Sequence, residues 1–296
     1  MMKPSICCIG HITLDKVVTP QKTVHMPGGT VFYGAHALSR FAGIDYRLVT
    51  AVGAPEMHEV ETLKRQGIDA VGLHSAHSVC FENIYGDNPD ERRQRVSAKA
   101  DAFTIEQLKD FQADVFHLGA LLADDFSPEV VASLAARGRV AVDAQGYLRE
   151  VRGEEVFPID WEDKMQVLPH IYYLKVNEHE MEVLTGSSDP YDAALILHRW
   201  GVREVLVTLG SMGSLIFDGV NYYRIPAFRP SVVTDATGCG DTYTSGYLYR
   251  RLMGADVDAA GRFAAAMSTL KIENFGPFAG TEEDVLLCMT SAEEMY

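Results

Sequence analysis

The chain has 296 residues, 26 Lys and Arg against 41 Asp and Glu, and a formal net charge of −15, which argues against a general phosphate-backbone binder because such a protein needs a basic face. With 47% hydrophobic and 23% charged residues it reads as an ordinary globular chain, long enough to bury a large core as one α/β domain or two smaller ones. No run approaches the ~18 consecutive apolar residues of a membrane helix, no cationic-then-apolar leader opens the chain, and the five cysteines form no C-x-x-C pair. The expectation is a cytoplasmic protein with reduced thiols and no dealings with membrane or nucleic acid.

From the amino end, residues 5–9 form a short apolar run that reads as a buried strand, with Cys7 and Cys8 inside it. Residues 17–24 add a more polar strand. Val31, Ala35, Leu38 and Ala42 recur at helical spacing up to Gly43; the run 46–52 is strand-like; Met57, Val60, Leu63 and Lys64 mark a second helix closed by Gly67. Residues 79–85 and 92–96 then read as two polar strands joined by the turn-forming stretch 86–90, a hairpin that projects as a lid or as an oligomer contact. Further buried strands are expected at 115–118, 140–142, 171–176 and 205–209. Helices follow at 241–252 and 257–272, and a last one opens at Thr281, where Thr-Glu-Glu-Asp has the capping-box form. The alternation implies a parallel sheet covered by helices on both sides. No repeat or linker divides the chain, so 1–296 reads as a single domain with lid strands from about 16–26 and 78–97.

The strongest chemical signal is Asp235-Ala236-Thr237-Gly238-Cys239-Gly240-Asp241, followed at once by a helical run. The glycines let the backbone bend and a ligand approach, and the first-turn N–H groups of the helix favour negative charge. Asp241 would repel a phosphate there unless it is a base, taking a proton from a hydroxyl that attacks phosphorus. Taken alone, G-x-G-D also describes an ordinary capped turn. No G-x-x-x-x-G-K-[ST] occurs, which excludes a P-loop kinase at the motif level.

The segment 235–241, with Gly246 five residues on, resembles the D-x-x-G-x-G-D signature of the ribokinase-like (PfkB-type) carbohydrate kinases. Four other segments match in the family's order: Gly28-Gly29 opening a helix, Lys175-Val176-Asn177-Glu178-His179-Glu180, Thr208-Leu209-Gly210-Ser211-Met212-Gly213, and Gly276-Pro277. The resemblance implies a ribokinase-like αβα sandwich with a mostly parallel central sheet and a small β lid. It implies an ATP-dependent phosphotransferase acting on a hydroxyl of a small sugar or polyol. Asp241 is then the general base, and the backbone of Gly238, Cys239, Gly240 and Asp241 the anion hole. Thr208, Gly210, Gly213, Asn177 and Glu180 fall to ATP binding, with Glu180 oriented toward Mg²⁺ through water, and Asp235 stands beside a monovalent cation such as K⁺.

On the acceptor side the resemblance implies Asp15 as a partner of substrate hydroxyls and Gly28 and Gly29 as bare backbone against the substrate. Tyr33 stands where many members carry a sugar-contacting Asn, a departure that bears on acceptor identity. Arg149, after the strand-following segment 143–148, could pair with phosphate or substrate, or make a surface ion pair. Glu82, Asn83, Arg92 and Gln94 alternate on the lid strands, so some face the substrate or solvent. Pairing of exposed lid edges would give a homodimer. A nucleoside kinase of the same fold and a catalytically silent sugar or nucleotide sensor are the alternatives. Cys239, a thiol at a helix amino terminus, is expected to have a lowered pKa and to react with alkylating agents unless ATP covers it. His11, His36 and His117 read as core or boundary residues.

Overall fold

The structure, a computed structural model, describes residues 3–18, 23–85, 92–291 and 294–295, with the side chains of Val17, Tyr85, Arg92 and Arg93 outside that description. The turn expected at 86–90 therefore lies outside the described residues.

In chain order, β1 (Ser5–Gly10) enters the body, and β2 (Thr13–Val18) and β3 (Thr23–Gly28) leave it as a hairpin. The chain returns through α1 (Thr30–Leu38), β4 (Asp45–Val52), α2 (Met57–Arg65) and β5 (Asp69–His74), then leaves again as β6 (Cys80–Tyr85) and β7 (Arg92–Ala98). After α3 (Ile105–Leu108), β8 (Val115–Gly119), α4 (Pro128–Ala135) and β9 (Arg139–Asp143), a third excursion forms β10 (Arg149–Arg152) and β11 (Glu155–Pro158). The remainder is α5 (Lys164–Val167), β12 (Ile171–Asn177), α6 (Glu178–Thr185), α7 (Pro190–Arg199), β13 (Glu204–Thr208), β14 (Ser214–Phe217), β15 (Tyr222–Ile225), β16 (Ala227–Phe228), α8 (Cys239–Leu252), α9 (Val257–Ile272), α10 (Glu282–Ser291) and β17 (Glu294–Met295).

Nine strands form the body sheet in the order β15-β14-β13-β12-β9-β8-β1-β4-β5. All its pairings from β13 to β5 are parallel, and only the β13–β14 and β14–β15 pairings at one edge are antiparallel. Alternation along each strand explains the two covering layers. Cys7, Ile9, Val140 and Val142 point into one core with residues of α3 to α7, while Ile6, Cys8 and Ala141 point into cores shared with α1, α2 and α8 to α10. His11 and His117 are buried as expected; His11 stacks on Phe103 and His117, its pKa lowered to about 4 by burial, faces the Cys8 thiol.

A second sheet of six strands, β10-β11-β7-β6-β2-β3, stands over the carboxyl ends of the body strands. The sequence indicates three strands here, at 17–24, 79–85 and 92–96; the structure has two, β2 and β3, where the first is expected, and adds β10 and β11, which the sequence does not announce. Its own small core joins Val79, Phe81, Val96, Leu121 and Leu122.

Candidate active site

Parallel pairing brings the carboxyl ends of β9, β12 and β13 side by side, with Lys175 in register with Asp143 and Asn177 with Thr208. Ligands of open α/β sheets gather at this end. A trough of about 1540 Å³ runs from the second sheet, past the start of α8, to the β13–β14 turn and the end of α9. Asp15, Gly29, Tyr33, Arg149, Asn177, Thr208, Gly210, Gly213, Asp235, Gly238, Cys239, Gly240 and Asp241 all line it.

The helix α8 begins at Gly238 in the left-handed conformation (φ 78°), and no side chain caps it. A Cβ at Gly238 would sit 2.3 Å from the Tyr33 ring, so only glycine lets the ring pack there. Tyr33 thus has a mainly packing position: its ring is buried against the anion loop, at the wall of the trough. The first-turn residues Cys239, Gly240 and Asp241 line the trough, and the uncapped amides of a helix's first turn favour negative charge.

Asp241 lies in that first turn, open to the trough on one side and enclosed by protein on the others. Burial, and then the Asp143 charge, push its carboxyl up to about 6, against a hydrogen bond from Thr30 and the charges of Lys175 and Arg149. Raised in this way, it is poised as a base near neutral pH. Lys175 sits under the anion loop, its Nζ 3.3 Å from where a Gly240 Cβ would be, 3.0 Å from Asp143 Oδ2 and 3.8 Å from Glu180 Oε2. Burial works against its charge, but Asp143, Glu180 and Asp241 outweigh burial and hold its pKa above the ordinary lysine value. In the sequence Lys175 stands out only as the first residue of the 175–180 segment, with no task attached. The signal was a lone lysine in an otherwise apolar strand, which demands a buried carboxylate partner.

Glu180 is placed differently from its expectation. It is only 4% exposed and does not line the trough. Its two carboxylate oxygens accept hydrogen bonds from the Asn177 backbone N (2.8 Å) and Nδ2 (2.7 Å), while Asn177 Oδ1 accepts from Glu180 N. This reciprocal cap engages both carboxylate oxygens of Glu180 in closing the helix, and no group of three or more His, Cys, Asp or Glu among the described residues could hold a metal ion. The chain therefore offers no resident Mg²⁺ cage among those residues.

Cys239 also departs from expectation. Its thiol is half-buried, near the carbonyls of Asp235 (4.0 Å) and Ser268 (3.8 Å), and burial pushes its pKa up to about 11, with Asp235 and Asp241 adding to the shift and Lys271 opposing it. Desolvation and two carboxylates outweigh the helix end.

At the second sheet, Thr13, Asp15, Asn83 and Gln94 line the trough, and Gln94 Nε2 donates to Asn83 Oδ1 at 3.0 Å. Thr13 Oγ1 is buried without a hydrogen-bond partner among the described residues. Gly28 lies behind this wall, where a Cβ would strike Thr13 Oγ1 at 2.8 Å and Asp15 Oδ2 at 3.0 Å. Glu82 points elsewhere, paired with Lys16 at 2.6 Å and Arg95 at 4.0 Å. The Arg92 side chain lies outside the description. At the opposite end the trough is apolar, lined by Ala227, Phe228, Val233, Phe275 and Met295, with Val233 69% and Phe275 81% exposed.

The model of the pfkB family carbohydrate kinases matches residues 3–284. The chain belongs to this family. Among curated relatives, the cytidine kinase of Thermococcus kodakarensis is 26% identical over 92% of this chain and 98% of its own length. A pyrophosphate-dependent kinase of the ribokinase family, solved with a pyrophosphate analogue and myo-inositol, superposes with a TM-score of 0.84 at 29% identity, covering 95% of this chain and 99% of that one. The Arabidopsis thaliana ribokinase, solved with ribose and ATP, superposes at 0.80 with 19% identity over 97% and 99%, a likeness of fold. The ribokinase fold and kinase family membership expected from the motifs are thus shown.

Asp235, where the resemblance places a monovalent cation, is already engaged. Its backbone O and Oδ2 accept from Lys271 Nζ at 2.8 and 3.1 Å, and Oδ1 accepts from Thr237 N at 2.9 Å. Burial works against its charge, but Thr237 and Lys271 outweigh that and hold its pKa below the usual carboxylate value. The residues present do not fit a free cation at this carboxylate.

Proposed function

We propose that the protein transfers a phosphoryl group from ATP to a hydroxyl of a small sugar or polyol, with Asp241 as general base. The observation that carries this reading is Asp241 itself, a carboxyl raised to about 6 in the first turn of an uncapped helix, midway along a trough with a polar and an apolar end. The acceptor lies under the second sheet, where Thr13, Asp15, Asn83 and Gln94 offer hydroxyl-binding groups, and Arg149 stands near the reacting centre. The donor lies toward Thr208, Gly210 and Gly213. The acceptor oxygen attacks the terminal phosphorus, its proton passes to Asp241, and the bond to the bridging oxygen breaks, leaving the electron pair on the departing diphosphate. The α8 amides, with Lys175 beneath them, stabilise the charge on the transferring group. Mg²⁺ brought in with the donor would supply charge neutralisation on its phosphates, since no cluster among the described residues would hold the ion by itself.

Exposed Val233 and Phe275 favour a nucleotide, whose base would cover them; inorganic pyrophosphate would leave them bare. Pyrophosphate is the second donor reading, supported by the 29%-identical pyrophosphate-dependent kinase. The cytidine kinase likewise supports a nucleoside as second acceptor class. A panel of pentoses, hexoses, inositols and nucleosides, run with ATP and with pyrophosphate, separates these by which donor is consumed. Asp241→Asn is expected to keep donor binding by calorimetry while turnover falls about 10²–10⁴-fold; unchanged turnover would overturn the mechanism.

A further inference from the structure

Lys271, in the last turn of α9, is fully buried, with a side-chain exposure of 0%. A lysine is almost never buried without a strong reason. Its ammonium reaches three oxygens: Asp235 O at 2.8 Å, Asp235 Oδ2 at 3.1 Å and Asn274 O at 3.3 Å. One donor proton is available for each. The surrounding backbone converges on the same point, since Thr234 N and Asp235 N both donate to Ile272 O, and Ser268 Oγ donates to Cys239 O. Asp235 opens the loop that ends in Gly238 and the α8 amides, so whatever neutralises Asp235 also sets that loop against α9.

We propose that Lys271 is a tethered replacement for a dissociable monovalent cation, making phosphoryl transfer by this chain independent of K⁺. An ammonium and a potassium ion are close in size and carry the same charge. A shell of two carbonyl oxygens and one carboxylate oxygen suits either, but the lysine arrives on its own helix and loses no binding entropy at each turnover. It also sits at the carboxyl end of α9, where the helix dipole favours positive charge. Lys271 is a positioning residue: it touches neither donor nor acceptor and acts through Asp235 on the anion loop.

The catalytic consequence rests on the proposed function, whereas occupancy of the site does not, so the test has an arm for each. The first arm measures thermal unfolding and ²⁰⁵Tl⁺ NMR, thallium(I) serving as a potassium probe, on the intact protein and on Lys271→Ala in choline and potassium chloride at equal ionic strength. The intact protein is expected to bind no Tl⁺ and to keep its Tm, and Lys271→Ala to bind Tl⁺ and to be stabilised by K⁺ through linkage. The second arm measures turnover. The intact enzyme should change by less than about twofold between the two salts, and Lys271→Ala should fall by about tenfold or more in choline and recover in K⁺ or NH₄⁺ but not Li⁺, through kcat with little change in acceptor KM. Tl⁺ binding at this site or activation by K⁺ in the intact protein would overturn the proposal, even if Lys271→Ala failed to fold. A folded Lys271→Ala that ignores K⁺ in both arms would also overturn it. Absence of turnover with every donor and acceptor would count against the proposed function, while Tl⁺ binding and melting would still decide whether Lys271 fills a cation site.

Discussion

Two helices begin at the edge of the trough, and their first turns are built in opposite ways. At α6, Asn177 caps the Glu180 amide and Glu180 returns the bond to Asn177, so the turn is closed by its own side chains. At α8, the preceding residue is a left-handed glycine, nothing caps the turn, and the acidic residue of the first turn is turned to other use. The first start commits its hydrogen bonds to stability; the second leaves its amides for a ligand. A helix start is thus legible as structural or functional from what its cap position lacks.

Lys175 stands between the two starts, so Lys175→Met should disturb both and have the largest effect. It leaves Asp143 and Glu180 buried without their cation, a loss of roughly 3–5 kcal/mol if they stay charged. It also removes one of the charges that lower the Asp241 pKa. In the intact enzyme kcat/KM should rise from the acid side with an apparent pKa near 6, because only the carboxylate form of Asp241 accepts a proton. In the variant that limb should move to higher pH, measured as a rate profile beside a melting curve.

Gly238→Ala attacks α8 alone. The left-handed backbone costs a side chain roughly 1–2 kcal/mol, and overlap with the Tyr33 ring adds about 1–3 kcal/mol. Turnover should collapse with a moderate drop in Tm, and a variant with normal turnover would show that the loop has room the geometry denies. Asn177→Ala attacks α6 alone and should cost about 1 kcal/mol, read as a small drop in Tm with turnover nearly kept. A turnover loss as deep as that of Gly238→Ala would erase the contrast between the two starts.

The linkage of Asp241 has a definite sign. Its pKa is raised in the fold, so its contribution to stability is present at low pH and is lost as pH rises from the ordinary value of 3.8 through about 6. Asp241→Asn should therefore melt higher than the intact protein above that range, with the gap closing in acid.

Six of the nine body strands were legible because they are short apolar runs, while β5, β14 and β15 at the two edges of the sheet were not, and the glycine-rich loop was legible because glycine spacing carries backbone geometry directly. The strands β10 and β11 were not: Arg149, Glu150, Arg152 and Glu155 give a polar pattern that becomes a sheet only on meeting β7. Lys175 and Lys271 were opaque for a related reason, since their meaning lies in Asp143 and Asp235, each more than thirty positions earlier in the chain. Glu180 was read from the resemblance of the 175–180 segment and Cys239 from its helix position. Burial overturned the expectation for Cys239, and for Glu180 the fold added a reciprocal cap that the spacing alone does not announce.

The six-stranded sheet over the trough is assembled from three excursions of the chain, and β11 meets β7 through a single pair of facing residues, Glu155 and Arg95. Its order of formation follows from that. Its three local pairs, β2–β3, β6–β7 and β10–β11, must close long loops to join one another, so the joining of this sheet is expected to come late in folding. Amide exchange should accordingly be fastest at β10 and β11 and slowest along β1 and β8, so that the sheet standing over the trough is the first part of the molecule to open.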